Sequence, residues 1–357
     1  MKEVVLVVNP GSTSTKVALF SRNGSEKEEC VDHTLNSIGK IIDNIMDQIP
    51  YRKNVIDKKL KEWLGGNYRL IGIAGRGGLL KPVKSGVYKI NDKMLNDLKS
   101  CRYGLHASNM GAILADELSK KYNIPAFIAD PVTFENMLLE AKISGVPEIE
   151  RKGRAHVLNV LACAREVAKN MGKSVNQVRF VVAHLGGGIT IAPVDCGVIV
   201  DCNDALLGMG PFSPERAGAL PTAGILNLAF SGEYTKESLE KKFSKESGLK
   251  GYLGTSNVKE ILNRISSGDK YAKLIVDAMI YQVAKEIGAM ATVLKGNIDA
   301  IIITGGMAKS EYIINKIKER VDFISEVVLL PGEFEMKALA ESVFRVLDGI
   351  EEPKEYI

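Results

Sequence analysis

Residues 3–20 decide the fold class of this chain. An apolar run, Glu3–Val8 (EVVLVV), leads into a polar turn, Asn9–Ser14 (NPGSTS), and a second apolar run, Thr15–Phe20 (TKVALF), follows. Two β-branched runs joined by a short turn of this composition predict a β-hairpin. Gly11 and the small hydroxyl side chains would let backbone N–H groups converge on an anion. The turn is therefore a candidate phosphate site, and the alternative is an ordinary hairpin turn.

The same arrangement recurs past the middle of the chain. Arg179–Ala183 (RFVVA) precedes His184–Gly188 (HLGGG), and Ile189–Pro193 (ITIAP) follows. Three consecutive glycines exceed what a hairpin needs, which favours close approach of the backbone to a ligand, with His184 donating to a phosphoryl oxygen. The alternative is a bulged hairpin with a buried, hydrogen-bonded histidine. Two such turns predict two related halves that face one another with a polyphosphate between them.

Composition and charge are those of a globular protein without a nucleic-acid partner. Of the 357 residues, 45% are hydrophobic and 25% are charged, and the net charge is only +4 without a long basic run. The five cysteines form no CxxC pair and no metal-binding spacing with the four histidines. We expect no signal peptide, and the sequence has no apolar run long enough to span a membrane. We therefore expect a cytoplasmic protein with no membrane partner.

Alternating strand and helix patterns predict an α/β fold with two domains. The pattern loosens between Glu148 and Gly153, so the first domain is predicted to span 1–155 and the second 156–339, with a terminal helix at about 340–357 packing back on the first. The predicted helices lie at Ile38–Ile49, around Met110–Leu118, and at His156–Met171, Ser256–Ile265 and Tyr271–Leu294. Further short strands are predicted at Leu70–Ala74, Ala126–Ala129, Ala300–Thr304 and Val327–Leu330.

Four charged residues outside the turns are candidates for chemistry. Arg76 and Arg216 lie among glycines and prolines, and arginine is the residue suited to two-point binding of carboxylate or phosphate. Asp130 and Glu335 follow predicted strands, where a lone carboxylate could hold Mg²⁺ directly or through water. The alternatives are solvated arginines, a helix N-cap at Asp130 and a solvated acid at Glu335.

The phosphate contacts cannot come from a P-loop, because the GxxxxGK[ST] spacing is absent. The first turn offers Asn9, Ser12, Ser14 and Lys16 instead, with Lys16 as a point charge. Gly305–Gly306 follows an apolar strand, and ligands collect at the carboxyl ends of strands in open sheets. These two glycines could lie under a base or a ribose.

Four segments together resemble butyrate kinase, a family grouped with the acetate kinases in the sugar kinase, Hsp70 and actin superfamily. They are Val7–Lys16, Ala183–Gly188, Gly208–Gly218 and Ile303–Gly306. The resemblance implies two domains of a duplicated ribonuclease H-like (actin/Hsp70-like) core with a nucleotide in the cleft between them. It also implies reversible phosphorylation of a short-chain carboxylate by ATP, with ADP and an acyl phosphate as products and Mg²⁺ as the metal, in a homo-oligomer.

The resemblance further implies roles for individual residues. The catalytic residues it implies are Arg216, His184, His156, Asp130 and Arg76. The nucleotide-binding residues it implies are Asn9, Gly11, Ser12, Ser14, Lys16, Gly186, Gly187, Gly188, Gly305 and Gly306. The residues it implies for Mg²⁺ are Glu335 and Asp130.

The chain departs from the acetate kinases in the segment Ile73–Gly78 (IAGRGG). The resemblance places their substrate arginine on Ile73, their pocket valine on Gly75 and a pocket phenylalanine on Ala155. Loss of side-chain volume at the last two positions predicts a larger acyl pocket, and Arg76 is the candidate substitute for the arginine. We therefore expect butyrate as the acid, with branched isobutyrate as a further candidate; the alternative is an acetate or propionate kinase.

Two other functions are compatible with the superfamily. A sugar kinase would need a carboxylate general base and polar side chains that bind the sugar hydroxyls. A non-enzymatic actin-like nucleotide switch would need a partner-binding or filament-forming segment, and no such segment is identified in the sequence.

Overall fold

The structure is a computed structural model that describes residues 1–33 and 45–357. Most of the helix predicted at Ile38–Ile49 lies outside the described residues. The chain forms two compact units, Met1–Glu135 with Phe334–Ile357, and Asn136–Glu333. These boundaries differ from the predicted 1–155 and 156–339 because residues after Glu135 form hydrogen bonds with the rest of the second unit. Leu138 N–H, for example, donates to Val200 O at 2.9 Å.

The strands confirm both predicted hairpins and the four predicted short strands. In chain order they are β1 (Lys2–Pro10), β2 (Ser14–Ser21), β3 (Gly24–Asp32), β4 (Tyr68–Arg76), β5 (Val87–Lys89), β6 (Ala126–Ala129), β7 (Thr133–Phe134), β8 (Gly153–Arg154), β9 (Arg179–Leu185), β10 (Ile189–Asp195), β11 (Val198–Ile199), β12 (Ala300–Gly305) and β13 (Val327–Pro331).

The helices include the four other predicted ones and several that the sequence analysis missed. In chain order they are α1 (Ile49–Leu64), α2 (Asp92–Lys99), α3 (Asn109–Tyr122), α4 (Leu139–Lys142), α5 (Val157–Asn170), α6 (Thr222–Ala229), α7 (Lys236–Lys245), α8 (Gly248–Leu253), α9 (Val258–Ser266), α10 (Lys270–Val293), α11 (Glu311–Val321) and α12 (Glu335–Leu347). Among the described residues, no helix combines the length and apolar character needed to cross a membrane.

The first unit is built on a mixed sheet in the order β3-β2-β1-β4-β6-β5. Strands β1, β2 and β3 are antiparallel neighbours, whereas β4 and β6 run parallel to β1. Alternate residues of β1 (Val4, Leu6 and Val8) enter a core that includes side chains of α1 and α3. The terminal helix α12 packs on β1 and β4 of this unit.

The second unit repeats this topology in a sheet of order β11-β10-β9-β12-β13. Again an antiparallel hairpin, β9–β10, is followed by strands that run parallel to its first member. One face of β9 packs in a core with α10, whose apolar stripe at helical spacing is buried; the stripe consists of Ile275, Met279, Val283, Ile287 and Met290. The opposite face of β9, which carries His184, meets α5. The expected duplicated core is therefore confirmed.

Candidate active site

The Gly186–Gly188 turn joins β9 to β10 in the second unit. Gly186 N–H donates to Gly188 O at 3.1 Å. A Cβ atom on Gly187 would meet no other atom within 4 Å, whereas a Cβ on Gly186 would lie 2.9 Å from His184 Nε2. The turn is therefore bare backbone, open at Gly187 and with the edge of the His184 ring against Gly186.

Two imidazole rings stack beside this turn. The ring centroids of His156 and His184 are 4.1 Å apart and the ring planes are inclined by 21°. Thr190 Oγ1 lies 2.8 Å from His156 Nδ1 and accepts a hydrogen bond from the His156 backbone N–H at 3.2 Å. His184 is buried and His156 half-buried. The structure therefore brings together the two histidines that the sequence analysis singled out.

Arg216 contacts the same turn. A Cβ on Gly188 would lie 1.9 Å from Arg216 Nη1, so only glycine leaves room for the guanidinium in this position. Nη1 donates to Ala205 O, and Ser213 Oγ donates to Gly187 O at 2.7 Å, which ties the arginine's loop to the turn. Burial lowers the pKa of Arg216, but a guanidinium remains charged at neutral pH. A fixed positive charge therefore lies at the turn.

A cavity of about 560 Å³ opens beside the turn, within the size range of small-molecule sites. Gly186 and Gly187 line it together with Gly306, at which a Cβ would also meet nothing within 4 Å. Gly305 has a φ of 92°, and a Cβ there would lie 2.4 Å from Leu185 O, so glycine lets β12 end close to β9. The second turn and the predicted adenosine glycines therefore meet at one cavity, and its bare backbone fits a nucleotide.

A second cavity, of about 420 Å³, shares one segment of chain with the first. Pro214 and Glu215 line the larger cavity, and Ser213 and Arg216 line the smaller one. The smaller cavity is largely apolar, and its lining includes Leu206, Leu207, Leu220, Ile225 and Phe243. Arg216 thus places a positive charge on the wall of an apolar cavity that adjoins the glycine turn.

Comparison with known proteins assigns the chain to a family. The sequence profile described as the acetokinase family matches residues 147–328, slightly more than half of the 357 residues. The chain belongs to the acetokinase family. It is accordingly a phosphotransferase that acts on a carboxylate and binds a nucleotide. This confirms the coarser part of the resemblance, whereas butyrate as the acid stays a prediction.

Solved structures of other kinases share the acetokinase fold of this chain. An acetate kinase from Porphyromonas gingivalis has 18% identity and a TM-score of 0.78, with 97% of this chain and 100% of that chain covered. A propionate kinase from Francisella tularensis has 18% identity and a TM-score of 0.75, with 96% of this chain and 99% of that chain covered. An acetate kinase from Entamoeba histolytica also has 18% identity and a TM-score of 0.75, with coverage of 96% and 98%. At this identity the similarity establishes the fold.

The first turn of this acetokinase lies in the first unit. Asn9 pairs with Lys16 across the hairpin, and Gly11 N–H donates to Ser14 O at 2.7 Å. Lys16 is exposed while Thr15 on the opposite face of β2 is fully buried. Of the predicted phosphate-binding side chains, Ser12 and Lys16 are therefore exposed to solvent, and Asn9 and Ser14 are half-buried.

Arg52 lies behind this turn, and the sequence analysis missed it. Its guanidinium is fully buried and donates to the carbonyl oxygens of Gly11, Ser12 and Ser14 at 2.9 to 3.0 Å. In a trans peptide the N–H points away from the C=O, so the N–H groups that follow Gly11 and Ser12 face away from Arg52. Arg52 therefore holds the turn with backbone donors directed outward, as an anion site requires.

Arg76 and Glu335 form an ion pair within the first unit. Arg76 Nη1 lies 2.7 Å from Glu335 Oε2, and Asn9 Nδ2 donates to the same oxygen at 3.2 Å. Arg76 ends β4 and is buried, so it is not the solvated arginine of the alternative interpretation. These contacts bring together Arg76, Glu335 and Asn9, for which the sequence predicted separate roles.

The two carboxylates predicted to hold Mg²⁺ directly or through water each contact a donor group of the protein. Glu335 is paired with Arg76, and the buried Asp130 accepts a hydrogen bond from Gly86 N–H through Oδ1 at 2.8 Å. In the described ranges 1–33 and 45–357, no three His, Cys, Asp or Glu side chains are grouped to hold a metal ion. We derive no step through a protein-bound metal from these residues.

The predicted role of Gly75 in enlarging the acyl pocket is wrong. A Cβ on Gly75 would lie 2.5 Å from Gly111 O of helix α3, and a Cβ on Gly111 would lie 2.4 Å from Arg76 O. The two glycines let strand β4 and helix α3 pack backbone against backbone. Ile73, the position assigned to a substrate arginine, is fully buried in the same core. Neither residue is in the lining of the two cavities described above.

Proposed function

We propose that this acetokinase transfers the γ-phosphoryl group of ATP to butyrate, giving butanoyl phosphate and ADP in a reversible reaction. The observation that supports it most directly is the position of Arg216. Its guanidinium contacts the Gly188 backbone. Its loop, Ser213–Arg216, supplies residues both to the larger cavity, which is suited to a nucleotide, and to the smaller apolar cavity. The reacting phosphoryl group would then lie at the turn, with the acyl chain in the apolar cavity.

The proposed chemistry needs charge stabilisation and no general base. A carboxylic acid with a pKa of roughly 4–5 is ionised at neutral pH, so its oxygen can attack the γ-phosphorus directly. The bond from that phosphorus to the bridging oxygen breaks, and ADP leaves with the electron pair. Arg216 and His184 would stabilise the charge on the transferring oxygens, with His156 as a further candidate. Mg²⁺ would be held by phosphate oxygens and water.

The apolar cavity supports a preference for a longer acid. Each additional buried methylene group is worth about 0.8 kcal/mol, or about fourfold in affinity. Butyrate has two more methylene groups than acetate, so a discrimination of about 15-fold is within reach of burial alone. The support for butyrate as the acid therefore comes from the smaller cavity and not from Gly75.

The proposal is tested by measuring kcat/KM for acetate, propionate, butyrate and isobutyrate. Butanoyl phosphate is trapped with hydroxylamine as the hydroxamate, and the expected order rises from acetate to butyrate. A best rate with acetate or propionate would favour the alternative acids. Phosphorylation of glucose or glycerol without hydroxamate formation would instead favour a sugar kinase.

Two adjacent residues of α6 offer a matched pair for the acyl cavity. Ile225 lines the cavity, whereas Leu226 is 52% exposed and does not. Ile225→Trp should fill the cavity and lower kcat/KM for butyrate by about tenfold or more, with a smaller effect on acetate. Leu226→Trp should leave both values unchanged. Equal behaviour of the two variants would place the acyl chain elsewhere.

A further inference from the structure

Asn159 is a polar residue on the apolar helix α5. It is fully buried, as are its neighbours Leu158 and Val160. A buried amide must find hydrogen-bond partners within the protein. Its Nδ2 lies 2.9 Å from His184 Nδ1 and 3.4 Å from Thr304 Oγ1. The amide therefore lies directly behind a histidine of the candidate site.

Thr304 decides which way the amide points. Its hydroxyl group donates to Gly332 O at 3.2 Å, so the Thr304 oxygen is left to accept. Cys163 Sγ, 3.4 Å away, also donates to it. An amide oxygen facing Thr304 would meet no proton, whereas the amide nitrogen supplies one there and a second to His184. The NH₂ group of Asn159 therefore faces both residues.

The direction of this hydrogen bond fixes the proton on His184. A ring nitrogen that accepts a hydrogen bond carries no proton, so a neutral imidazole with Nδ1 as acceptor has its proton on Nε2. Nε2 is the atom that faces the glycine turn, since a Cβ on Gly186 would lie 2.9 Å from it. The ring thus presents an N–H donor to the turn.

We propose that Asn159 is a positioning residue that holds His184 as the Nε2–H tautomer, so that the imidazole donates to the phosphoryl group at the turn. The identity of that group rests on the proposed function, whereas the tautomer does not. In the opposite tautomer, Nε2 would present a lone pair to phosphoryl oxygens and repel them. Asn159 therefore acts on the reaction through His184.

The titratable groups around this ring leave the assignment intact. His156 stacks on the face of the ring and is held at its own Nδ1 by Thr190. Cys163 lies behind Asn159, and burial raises the pKa of its thiol to about 11, so it stays protonated at neutral pH. Arg216 is charged and contacts the turn at Gly188.

The tautomer is read directly by long-range ¹H–¹⁵N NMR of the full chain labelled with ¹⁵N-histidine. The chain has four histidines, and single His→Gln variants assign their signals. We expect the His184 signals of the substrate-free protein to show a protonated Nε2 and a bare Nδ1. A proton on Nδ1 would overturn the proposal. Because no substrate is present, this result is independent of whether butyrate is the acid.

Substitution of Asn159 tests the consequence for catalysis. Asn159→Leu keeps the side-chain volume and removes the donor, so we expect kcat to fall by about 10–100-fold, as when the partner behind a functional histidine is lost. The KM for ATP should change little. Wild-type kcat together with a wild-type His184 signal in a folded Leu variant would overturn the proposal. The matched control is Asn170→Leu, since Asn170 is an exposed residue of the same helix.

Asn159→Asp gives a distinct pH profile. A carboxylate accepts from Nδ1–H and stabilises the imidazolium, so the pKa of His184 rises. Below that pKa both ring nitrogens carry protons and Nε2 still donates; above it, the remaining proton stays on Nδ1. Activity should therefore be lost as pH rises through the new pKa, a limb absent from wild type and from Asn170→Asp. A pH profile identical to wild type would contradict the role of Asn159.

Discussion

Gly188→Ala tests the contact that supports the proposed function. The new Cβ would lie 1.9 Å from Arg216 Nη1 and 2.8 Å from its Cζ, whereas ordinary contact begins near 3.4 Å. The guanidinium must therefore retreat by about 1.5 Å. The backbone at Gly188 has no positive φ, and the displaced group is the far end of a flexible side chain. The fold should accommodate the substitution.

The expected loss is large for kcat and moderate for stability. A displacement of this size in a charge-stabilising group removes about 10²–10³-fold from kcat. Nη1 would also lose its hydrogen bond to Ala205 O, which is worth about 1–3 kcal/mol when the donor is charged. Gly187→Ala has a different expected effect, because its Cβ would meet no other atom within 4 Å and Gly187 lines the larger cavity, where we propose that the nucleotide binds. It should raise the KM for ATP more than it lowers kcat.

The assay is hydroxamate formation from butyrate and ATP, combined with thermal unfolding of each variant. If Gly188→Ala acts by displacing Arg216, it should add little to the loss already caused by Arg216→Ala in the double variant. Additive losses would show that the two residues act separately. A folded Gly188→Ala protein with kcat within a few-fold of wild type would refute the proposed role of Arg216.

Three further predictions concern the first unit. Gly75→Ala should lower the free energy of unfolding by about 1–3 kcal/mol, because its Cβ would meet the backbone of Gly111; an unchanged urea midpoint would contradict the close packing. Arg52→Met should cost about 3–5 kcal/mol in urea unfolding, since three carbonyl groups lose a charged donor, and a loss below 1 kcal/mol would exclude this role. The pKa of His33 is lowered to about 4 by burial and by the charge of Arg52. Between pH 6.5 and 4 the folded state therefore binds fewer protons than the unfolded state. The free energy of unfolding should decrease by about 2 kcal/mol as the pH is lowered from 7 to 5. His33→Gln should remove that dependence in thermal unfolding.

The sequence predicted the elements whose signals are local. Both hairpins were predictable because strand pattern and turn residues adjoin one another, and helix α10 because its buried stripe has helical spacing. Unusual composition identified the second turn, with His184, and also Arg216. The turn has three glycines in a row, and Arg216 lies between a proline and a glycine. Composition could not show that the Arg216 guanidinium contacts Gly188, whereas the structure does.

The sequence did not predict contacts between residues far apart in the chain. Arg52 looks like one more charged residue of an exposed helix, and its partners lie 38 to 41 residues away. The absence of a side chain at Gly75 was interpreted as an enlargement of the acyl pocket, because the residue it packs against, Gly111, belongs to a different element. Asn159 left a usable signal, since an amide within a run of buried apolar helix residues requires a buried partner. The identity of that partner needed the fold.

The shared wall between the two cavities has a consequence for ligand design. The turn Gly186–Ile189 and the segment Ser213–Arg216 each supply residues to both cavities. A single compound that carries a nucleoside at one end and a short alkyl chain at the other could enter both cavities at once. Tethering raises the effective concentration of the second group to the millimolar range when the linker matches the span. Such a bisubstrate compound would bind more tightly than either part, and its optimal linker length would measure the separation of the two cavities.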